Sequence, residues 1–192
     1  MARQHGITAN TYKRFVIDAG LVYKDYGEVG QTALGATRGG NTFTLEVEQR
    51  EMEVDGARGP VKGSKRRVNT IARLAINFVE FKRETFALML PGVTVADYPS
   101  TLAKTHDQYT RNTDIADSDY FTNIAIVGNT TASGDATGSY MAIILKNVLG
   151  DGNIELAFAD KEEAVPAVTF IAHFLPTDLG TEPWEIRSPI IS

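Results

Sequence analysis

The 192-residue sequence contains no cysteine. This absence excludes disulfide bridges and thiolate metal sites, and it leaves the redox compartment undetermined. Histidine is also scarce, because the sequence has only His5, His106 and His173, and no two of them share a metal-ligand spacing. His173 falls within a predicted strand, where a lone imidazole is more typical of a structural residue than of a catalytic one.

Long hydrophobic runs are absent as well. No apolar segment is long enough to cross a bilayer, and residues 1–6 lack the apolar core of a signal peptide. We therefore expect the protein to be made in a cytoplasm and to stay there unless a larger assembly carries it out. The formal net charge of −5 disfavours a general nucleic-acid binder, since such proteins are usually basic.

The sequence also lacks the motifs of common catalytic and ligand sites. Asp114, Asp117 and Asp119 resemble part of a calcium loop, but the glycine and terminal glutamate of an EF-hand are missing. Residues 59–65 have the composition of a phosphate-binding loop in the wrong order, and they precede a predicted strand rather than a helix. No Gly-x-Ser-x-Gly motif occurs. We expect no enzymatic activity, no cofactor and no metal site.

A long hairpin over residues 41–81 is the strongest pattern that is present. Its first arm alternates strictly between an apolar and a polar face, which is typical of a half-buried strand. The apolar face carries Phe43, Leu45 and Val47, and the polar face carries Thr44, Glu46 and Glu48. The phase changes after Gln49, which indicates a bulge or a strong twist.

The second arm, residues 67–81, continues the same two faces. The apolar set is Val68, Ala72, Leu74, Ile76 and Phe78, and the other set is Arg73, Ala75 and Asn77. Residues 55–66 between the arms contain three glycines, one proline and four cationic side chains. This segment is too long for a tight turn and has little apolar surface, so we expect it to project into solvent.

The remaining segments predict further strands and one short helix. A helix over residues 82–90 stops at Pro91-Gly92, and two turns persist only if they pack on the sheet. Strand patterns cover residues 12–26, 120–127, 139–148, 153–159 and 166–175, with a hairpin signal at residues 150–152. In the last of these strands Phe170 belongs to the apolar face.

Several segments are polar or rich in glycine. Residues 27–40 are either a flexible connection or a loop that becomes ordered against a partner. Residues 99–119 read as a surface excursion with at most a short helix around residues 101–109. We interpret the whole chain, residues 1–192, as one domain with an amino-terminal arm at 1–11 and a carboxy-terminal arm at 177–192.

A series of motifs in a fixed order resembles the major tail tube proteins of long-tailed, non-contractile (siphovirus-type) bacteriophages. The series comprises the glycine-rich segments 35–43 and 54–63, the helix end Leu-Met-Leu-Pro-Gly at 88–92, Ile-Leu-Lys-Asn at 144–147, Val-Thr-Phe-Ile-Ala-His at 168–173, and Trp-Glu-Ile at 184–186. The resemblance spans residues 12–188 and depends on the order of the motifs. Residues 99–119 have no counterpart in it.

The resemblance implies a mainly β fold, a β-sandwich or split barrel of two sheets with one packed α-helix, long loops and terminal arms. It also implies a structural virion protein whose hexameric rings stack into a tail tube through which DNA passes. The implied partners are other copies of the chain, a tape measure protein, and tail terminator and distal tail proteins. DNA would pass without specific binding, no membrane would be involved, and the tail would be assembled in the host cytoplasm.

Within that tube, each face of the hairpin has an implied role. The lumen-facing set is Thr44, Glu46, Glu48, Arg73, Ala75, Asn77 and Glu155. The core set is Phe43, Leu45, Val47, Leu74, Ile76, Phe78 and Phe170. The contact between rings is assigned to Arg58, Lys62, Lys65 and Arg66, with an acidic receiving surface that includes Asp25 and Glu28. Glutamates repel DNA phosphates, although Arg73 and Lys146 leave a uniformly acidic lumen unassured.

Two other functions fit the sequence. One is a ring-forming tube protein of a secretion or tail-like injection system, which genomic context or a tape measure partner would distinguish. The other is a small-ligand-binding β-barrel, which would be monomeric and would have an apolar pocket.

Overall fold

A computed structural model describes Gly6, Ile7, Thr11, Phe15 and residues 20–99, 101–102, 105–130, 140–158, 160–161 and 163–189. Within these residues the fold is mainly β, with one short α-helix and one 3-10 turn at Asp117–Asp119. The strands are β1 (Leu21–Lys24), β2 (Thr32–Ala33), β3 (Thr42–Glu51), β4 (Lys65–Asn77), β5 (Val93–Tyr98), β6 (His106–Arg111), β7 (Phe121–Asn129), β8 (Tyr140–Gly150), β9 (Ala167–Ala172) and β10 (Trp184–Arg187). The helix is α1 (Arg83–Met89).

Eight of the strands form one sheet in the order β2-β1-β7-β8-β9-β4-β3, with β10 paired to β8. The predicted hairpin is its longest pairing. β3 and β4 are antiparallel from Thr42↔Ala75 onward, and the register shifts between Glu48 and Gln49. The predicted bulge is therefore present, one residue earlier than the change of phase in the sequence.

The sheet divides at β8. β9 pairs with the last three residues of β8, from Val148 to Gly150. β10 pairs with an earlier stretch of β8, up to Leu145. Asn147 lies between the two stretches with a φ of 49°, a left-handed conformation that asparagine tolerates better than most residues. β8 is consequently shared by a first half (β2, β1, β7, β8 and β10) and a second half (β9, β4 and β3).

The two halves face each other across one hydrophobic core. Ring pairs join them: Phe121 of β7 lies 5.8 Å from Phe170 of β9, and Phe43 of β3 lies 6.3 Å from Trp184 of β10, measured between ring centroids. The fully buried core residues from the two halves include Val22, Ile124, Leu145, Leu74, Ile76, Val168 and Phe170. This arrangement is the predicted two-layered β fold.

α1 packs against one end of the core. A helix this short persists in water only when it is packed in this way. Thr85 and Met89 are buried, and the Thr85 hydroxyl donates a hydrogen bond of 2.8 Å to the Leu34 carbonyl oxygen. The end of the helix lies so close to β8 that a Cβ on Gly150 would be 2.9 Å from the Leu88 carbonyl oxygen. Only glycine allows that approach.

Residues 99–119 differ from the prediction. Instead of a short helix around residues 101–109, the chain forms β6, which pairs with β5 in a separate two-stranded sheet from Val93↔Arg111 to Tyr98↔His106. Tyr109 packs on Phe86 of α1, with ring centroids 4.7 Å apart. The single apolar side chain that faces inward from β6 gives too weak an alternation to mark a strand in the sequence.

The predicted strand at residues 153–159 and the hairpin signal at 150–152 are also wrong. After Gly150 the chain makes one isolated bridge, Glu155↔Ala167, in place of a ladder. The Asp151 amide donates to the Thr169 carbonyl oxygen at 2.9 Å, and Gly152 adopts a φ of 73°. The two contacts with β9 are thus four positions apart on this segment but only two positions apart on β9, so a regular ladder cannot form.

The strand predicted for residues 12–26 is observed as β1 alone, and residues 12–14 and 16–19 lie outside the described part of the chain. Residues 27–40 are held by their own chain. The Leu34 amide donates to the Val22 carbonyl oxygen at 2.9 Å, and Thr37 forms a bridge with Phe78. Within the single chain, this segment is therefore tied to β1 at Leu34 and to the residue after β4 at Thr37.

Candidate assembly surface

The polar face of the hairpin is the outer surface of the second half. Cross-strand pairs place the predicted lumen residues beside one another: Thr44 lies opposite Arg73, and Ala75 lies opposite Thr42. On the other edge of β4, Ala75 pairs with Thr169, and Asn77 pairs with Ala167. The six predicted hairpin positions, Thr44, Glu46, Glu48, Arg73, Ala75 and Asn77, thus share one face, opposite the core.

The charges on this polar face are partly neutralised within the chain. Arg73 Nη1 lies 2.5 Å from Glu46 Oε2, while Glu48 is exposed beside Asn69. Asn77 donates from Nδ2 to the Gly40 carbonyl oxygen at 3.0 Å, which fixes the chain at the start of β3. The face is therefore polar and of mixed charge rather than uniformly acidic, since Arg50 continues the phase of Glu46 and Glu48 along β3 and lies opposite Arg66.

Glu155 lies at the edge of the polar face, whereas Lys146 lies elsewhere on the molecule. Glu155 is exposed at its isolated bridge with Ala167, next to the Asn77 end of β4. Lys146 belongs to β8, and its Nζ lies 3.4 Å from Glu185 Oε2 of β10. Lys146 thus neutralises a charge of the first half and is not paired with the acidic residues of the hairpin.

The opposite face of the hairpin continues past the end of the core. Leu74, Ile76, Phe78 and Phe170 are fully buried, and Phe43 and Leu45 pack against them at partial exposure. Val47 is 39 % exposed, so its predicted place in the core is wrong for the single chain. β9 pairs with β4 only between Arg73 and Asn77, and farther along β4 Arg67 Nη1 lies 2.7 Å from Glu182 Oε1, in the segment before β10.

Several apolar side chains are exposed along the hairpin and its loop. We call Val47, Met52, Val54, Val61 and Val68 the apolar stripe; it extends over both faces of the hairpin, since Val47 and Met52 differ in phase along the chain. Their exposed fractions run from 39 % for Val47 to 65 % for Val54. Several large apolar residues exposed together on one projecting element are typical of an interaction surface.

The loop at the hairpin tip has internal order. Ser64 is buried, and its hydroxyl donates to the Val61 carbonyl oxygen at 2.7 Å and to Glu51 Oε1 at 3.2 Å. The Ala57 amide donates to the Val54 carbonyl oxygen at 3.1 Å. These bonds form two consecutive turns, so the loop has a defined shape on which exposed side chains can be presented.

The four cationic residues assigned to the loop divide into two groups. Arg58 and Lys62 are exposed in the loop, and they make no ion pair with any described residue. Lys65 and Arg66 are the first residues of β4, so the predicted loop boundary at residue 66 is wrong. Strand pairing reaches Glu51↔Lys65, and Arg66 Nη1 bonds back to the Gly63 carbonyl oxygen at 3.1 Å.

β3 is the last strand of the sheet on the hairpin side. It pairs with β4 along one edge, and in the described part of the chain no strand pairs with its other edge. At ten residues it is much longer than β2, the two-residue strand at the opposite end. An open edge of this length exposes a row of backbone hydrogen-bonding groups that can pair with another chain.

The outer face of the first half is, by contrast, closed by its own side chains. Tyr26 covers the small buried cluster of Ala125, Ala142 and Ile144. Burial raises the pKa of Tyr26 to about 12, and its hydrogen bond with Tyr140 acts in the same direction. Nearby, Arg187 Nε donates a hydrogen bond of 2.7 Å to Glu185 Oε1. This bond lowers the pKa of Glu185.

The residues that the sequence analysis considered for metal binding or catalysis can also be located in the structure. Asp119 accepts a hydrogen bond of 2.8 Å from the Ala116 amide, and the described residues contain no group of three or more acidic or histidine side chains able to hold a metal ion. His173 Nδ1 lies 3.2 Å from the Asn147 carbonyl oxygen, beside the left-handed turn of β8. Among the helices described, none is both long enough and apolar enough to cross a membrane.

The surface depressions of the molecule are open to solvent. The loop at the hairpin tip surrounds one of ≈ 440 Å³, and another of ≈ 470 Å³ lies beside Glu155 and Thr169. Both are lined by polar and apolar residues together, including the exposed Asp55 and Glu155. These are shallow surface features rather than the apolar interior expected of a ligand-binding β-barrel.

Sequence reasoning missed the apolar stripe. Strand alternation shows which face a side chain occupies, but the length of strand that is covered depends on the extent of β9. One signal was available: Met52 and Val54 follow the change of phase, outside any stretch that a partner strand was predicted to cover. Apolar residues that continue a strand pattern into a projecting loop are a usable sign of a contact surface.

Comparison with known proteins gives little further information. No family model matches the chain, and no curated protein sequence matches it. Among solved structures, it is similar to a chain in the virion of a native gene transfer agent particle, with a TM-score of 0.43 and 8 % sequence identity. The match covers 81 % of this chain and 92 % of the other. A similarity at this level carries no argument about function.

Proposed function

We propose that this protein is a structural protein that self-associates through the β3–β4 hairpin, and that it does so as a component of a phage-like particle. More specifically, we propose the tail tube: hexameric rings of the chain, stacked into a tube through which DNA passes. The observation that carries the proposal is the hairpin, which has an open edge and an exposed apolar stripe on the same element.

Two physical terms favour a partner on this hairpin. The unpaired backbone groups along β3 can form a further ladder, which ring closure would complete without leaving a free edge. The apolar stripe would lose water on contact, at roughly 25 cal/mol per Å² of buried apolar area. Both terms act on one element, so one docking geometry can satisfy them together.

The polar face supports the more specific part of the proposal. If β3 pairs with a neighbouring copy, the face that carries Glu46, Glu48 and Arg73 continues from copy to copy. On such a continuous polar face, Glu46 and Glu48 would repel DNA phosphates, and the mixed charge would let DNA pass without specific binding. We propose no catalytic step and no cofactor for the chain. Tape measure, tail terminator and distal tail proteins remain proposed partners.

The test is the state of association of the purified protein. We expect light scattering to show concentration-dependent assembly and negative-stain electron microscopy to show rings or tubes. Val47→Lys should weaken assembly, because it places a charge in the apolar stripe. Ile115→Lys is the matched control, since Ile115 is also exposed but follows β6, outside both the hairpin and the Asp25–Glu28 turn.

A monodisperse monomer up to millimolar concentration would contradict the proposal and favour a small-ligand β-barrel. Equal loss of assembly in Val47→Lys and Ile115→Lys would contradict the role of the stripe. A secretion or injection tube would assemble in the same way, so its test is the genomic context and a tape measure partner.

A further inference from the structure

The two-stranded sheet of β5 and β6 is joined to the rest of the protein at one cation. Arg83 of α1 donates from Nη1 to Asp97 Oδ1 at 3.0 Å and to Asp107 Oδ1 at 2.7 Å. One guanidinium nitrogen therefore connects three elements: the helix, β5 and β6. These contacts, with burial acting against them, raise the pKa of Arg83.

Asp97 and Asp107 form a directly opposed cross-strand pair. Like charges at opposed positions destabilise an antiparallel pair, because their Cβ atoms are only about 5 Å apart. Here the guanidinium lies between the two carboxylates and offsets their repulsion, so docking on α1 favours the hairpin electrostatically. The contact that attaches the sheet thus also lowers its internal repulsion.

Few other contacts hold this sheet in place. In the described part of the chain neither strand pairs with the eight-stranded sheet. Phe86 of α1 packs on Tyr109 of β6, and Arg111 Nη2 lies close to Gly152, where a Cβ would approach it to 2.9 Å. The base of the hairpin is closed by its own bond, from the Asn112 amide to the Gly92 carbonyl oxygen at 2.8 Å.

We infer that the β5–β6 sheet is a discrete unit latched by Arg83, which opens and recloses without unfolding of the eight-stranded sheet. Opening breaks the two charge-assisted bonds together and restores the repulsion between Asp97 and Asp107, so the sheet separates and loosens in one step. Local opening of this kind is expected where a unit has few contacts with the main core. The inference is independent of the proposed function.

Hydrogen exchange of the intact chain, followed by mass spectrometry, tests the latch. Arg83→Gln should accelerate exchange of the amides in Val93–Tyr98 and His106–Arg111 roughly tenfold. The amides of β7 and β8 should keep their wild-type rates. Arg38→Gln is the matched control, because Arg38 is also an exposed arginine but pairs with one carboxylate, Glu163, away from the β5–β6 sheet.

A rescue experiment separates the latch from a general loss of packing. In the Arg83→Gln background, Asp97→Asn with Asp107→Asn should slow exchange of β5 and β6 again, because the repulsion is gone while the side chains keep their size. Three outcomes would overturn the inference: wild-type exchange in Arg83→Gln, equal acceleration in β7 and β8, or a triple variant that exchanges as fast as Arg83→Gln alone.

Discussion

Leu74 and Glu48 belong to the same hairpin but lie on opposite faces of it. Leu74 is fully buried among core residues of both halves, whereas Glu48 is exposed beside Asn69. Leu74→Ala should lower the free energy of unfolding by roughly 2–5 kcal/mol through lost burial and a residual cavity. Glu48→Gln should change it by less than about 0.5 kcal/mol. Chemical denaturation followed by circular dichroism measures both.

The reverse order of these two effects would mean that the hairpin register is displaced by one residue, since such a displacement exchanges the two faces. A self-associating chain should be compared at one fixed concentration, because assembly adds to apparent stability.

Alternation in the sequence was sufficient to predict which face each hairpin residue occupies. Phe43, Leu45 and Leu74 lie on the core side, and Glu46 and Arg73 lie on the other. Alternation could not predict that Val47 is exposed, because the coverage of a strand depends on neighbours distant in the sequence. For the same reason, Lys65 and Arg66 were assigned to the loop although they pair with Glu51 and Arg50.

At the scale of elements, β10 shows how one short strand joins the two halves. It pairs with β8 over four residues, and its Trp184 packs on Phe43 of β3. Trp184 is half-buried, and its buried Nε1 has no hydrogen-bond partner among the described protein groups. The indole therefore acts mainly through its apolar surface.

This geometry predicts different costs for two substitutions of Trp184. Trp184→Ala should destabilise the protein by about 3 kcal/mol, the lower end of the range for buried aromatic residues, because the side chain is only partly covered. Trp184→Phe should cost less than about 1.5 kcal/mol, since it retains ring packing and removes a donor without a partner. Urea titrations of the three proteins provide the comparison, and equal losses would show that the indole N–H has a role of its own.

The elements that the sequence predicted best are those with strong local periodicity. β3, β4 and α1 were predicted to within a few residues, and the Pro91-Gly92 helix stop is observed. β6 was missed because its sequence, His-Asp-Gln-Tyr-Thr-Arg, is almost entirely polar. Its strand conformation comes from pairing with β5 and from the Arg83 bonds, neither of which leaves a local signal.

At the scale of the whole molecule, the hairpin loop combines positive charge with an acidic chain. Arg58 and Lys62 are exposed, and the formal net charge of the protein is −5. In a stack of identical rings, the loop of one ring would meet a different surface of the next, which allows the contact to propagate. Asp25 and Glu28, close together before β2, are candidates for that receiving surface.

Reversing both charges, Arg58→Glu with Lys62→Glu, should leave the fold intact and prevent the stacking of rings into tubes. Each exposed pair contributes only about 0–1 kcal/mol, but a ring repeats it in every subunit. Arg58→Gln with Lys62→Gln is the matched control, which removes attraction without adding repulsion and should weaken stacking less. Electron microscopy gives the readout, and normal tubes from the charge-reversed protein would rule out this role for the loop.

The mainly β, two-layered architecture could be predicted from the sequence, but the path of the chain could not. The sharing of β8 by two half-sheets depends on which distant strands pair, and pairing partners leave no mark on local periodicity. The open edge of β3 could not be predicted for the same reason, because the alternation of a strand is the same at the edge of a sheet and in its interior. The polar face of the candidate assembly surface was therefore predicted from alternation, but neither the open edge of β3 nor the apolar stripe was.

The left-handed turn at Asn147 has a consequence for larger objects built from this chain. β8 changes partner there, so the backbone conformation at this residue contributes to the angle between the two half-sheets. If copies join through the edge of β3, that angle sets how far each copy rotates relative to the last, and hence the curvature of the closed wall. The number of subunits in a ring would then depend on the left-handed turn at Asn147 in β8.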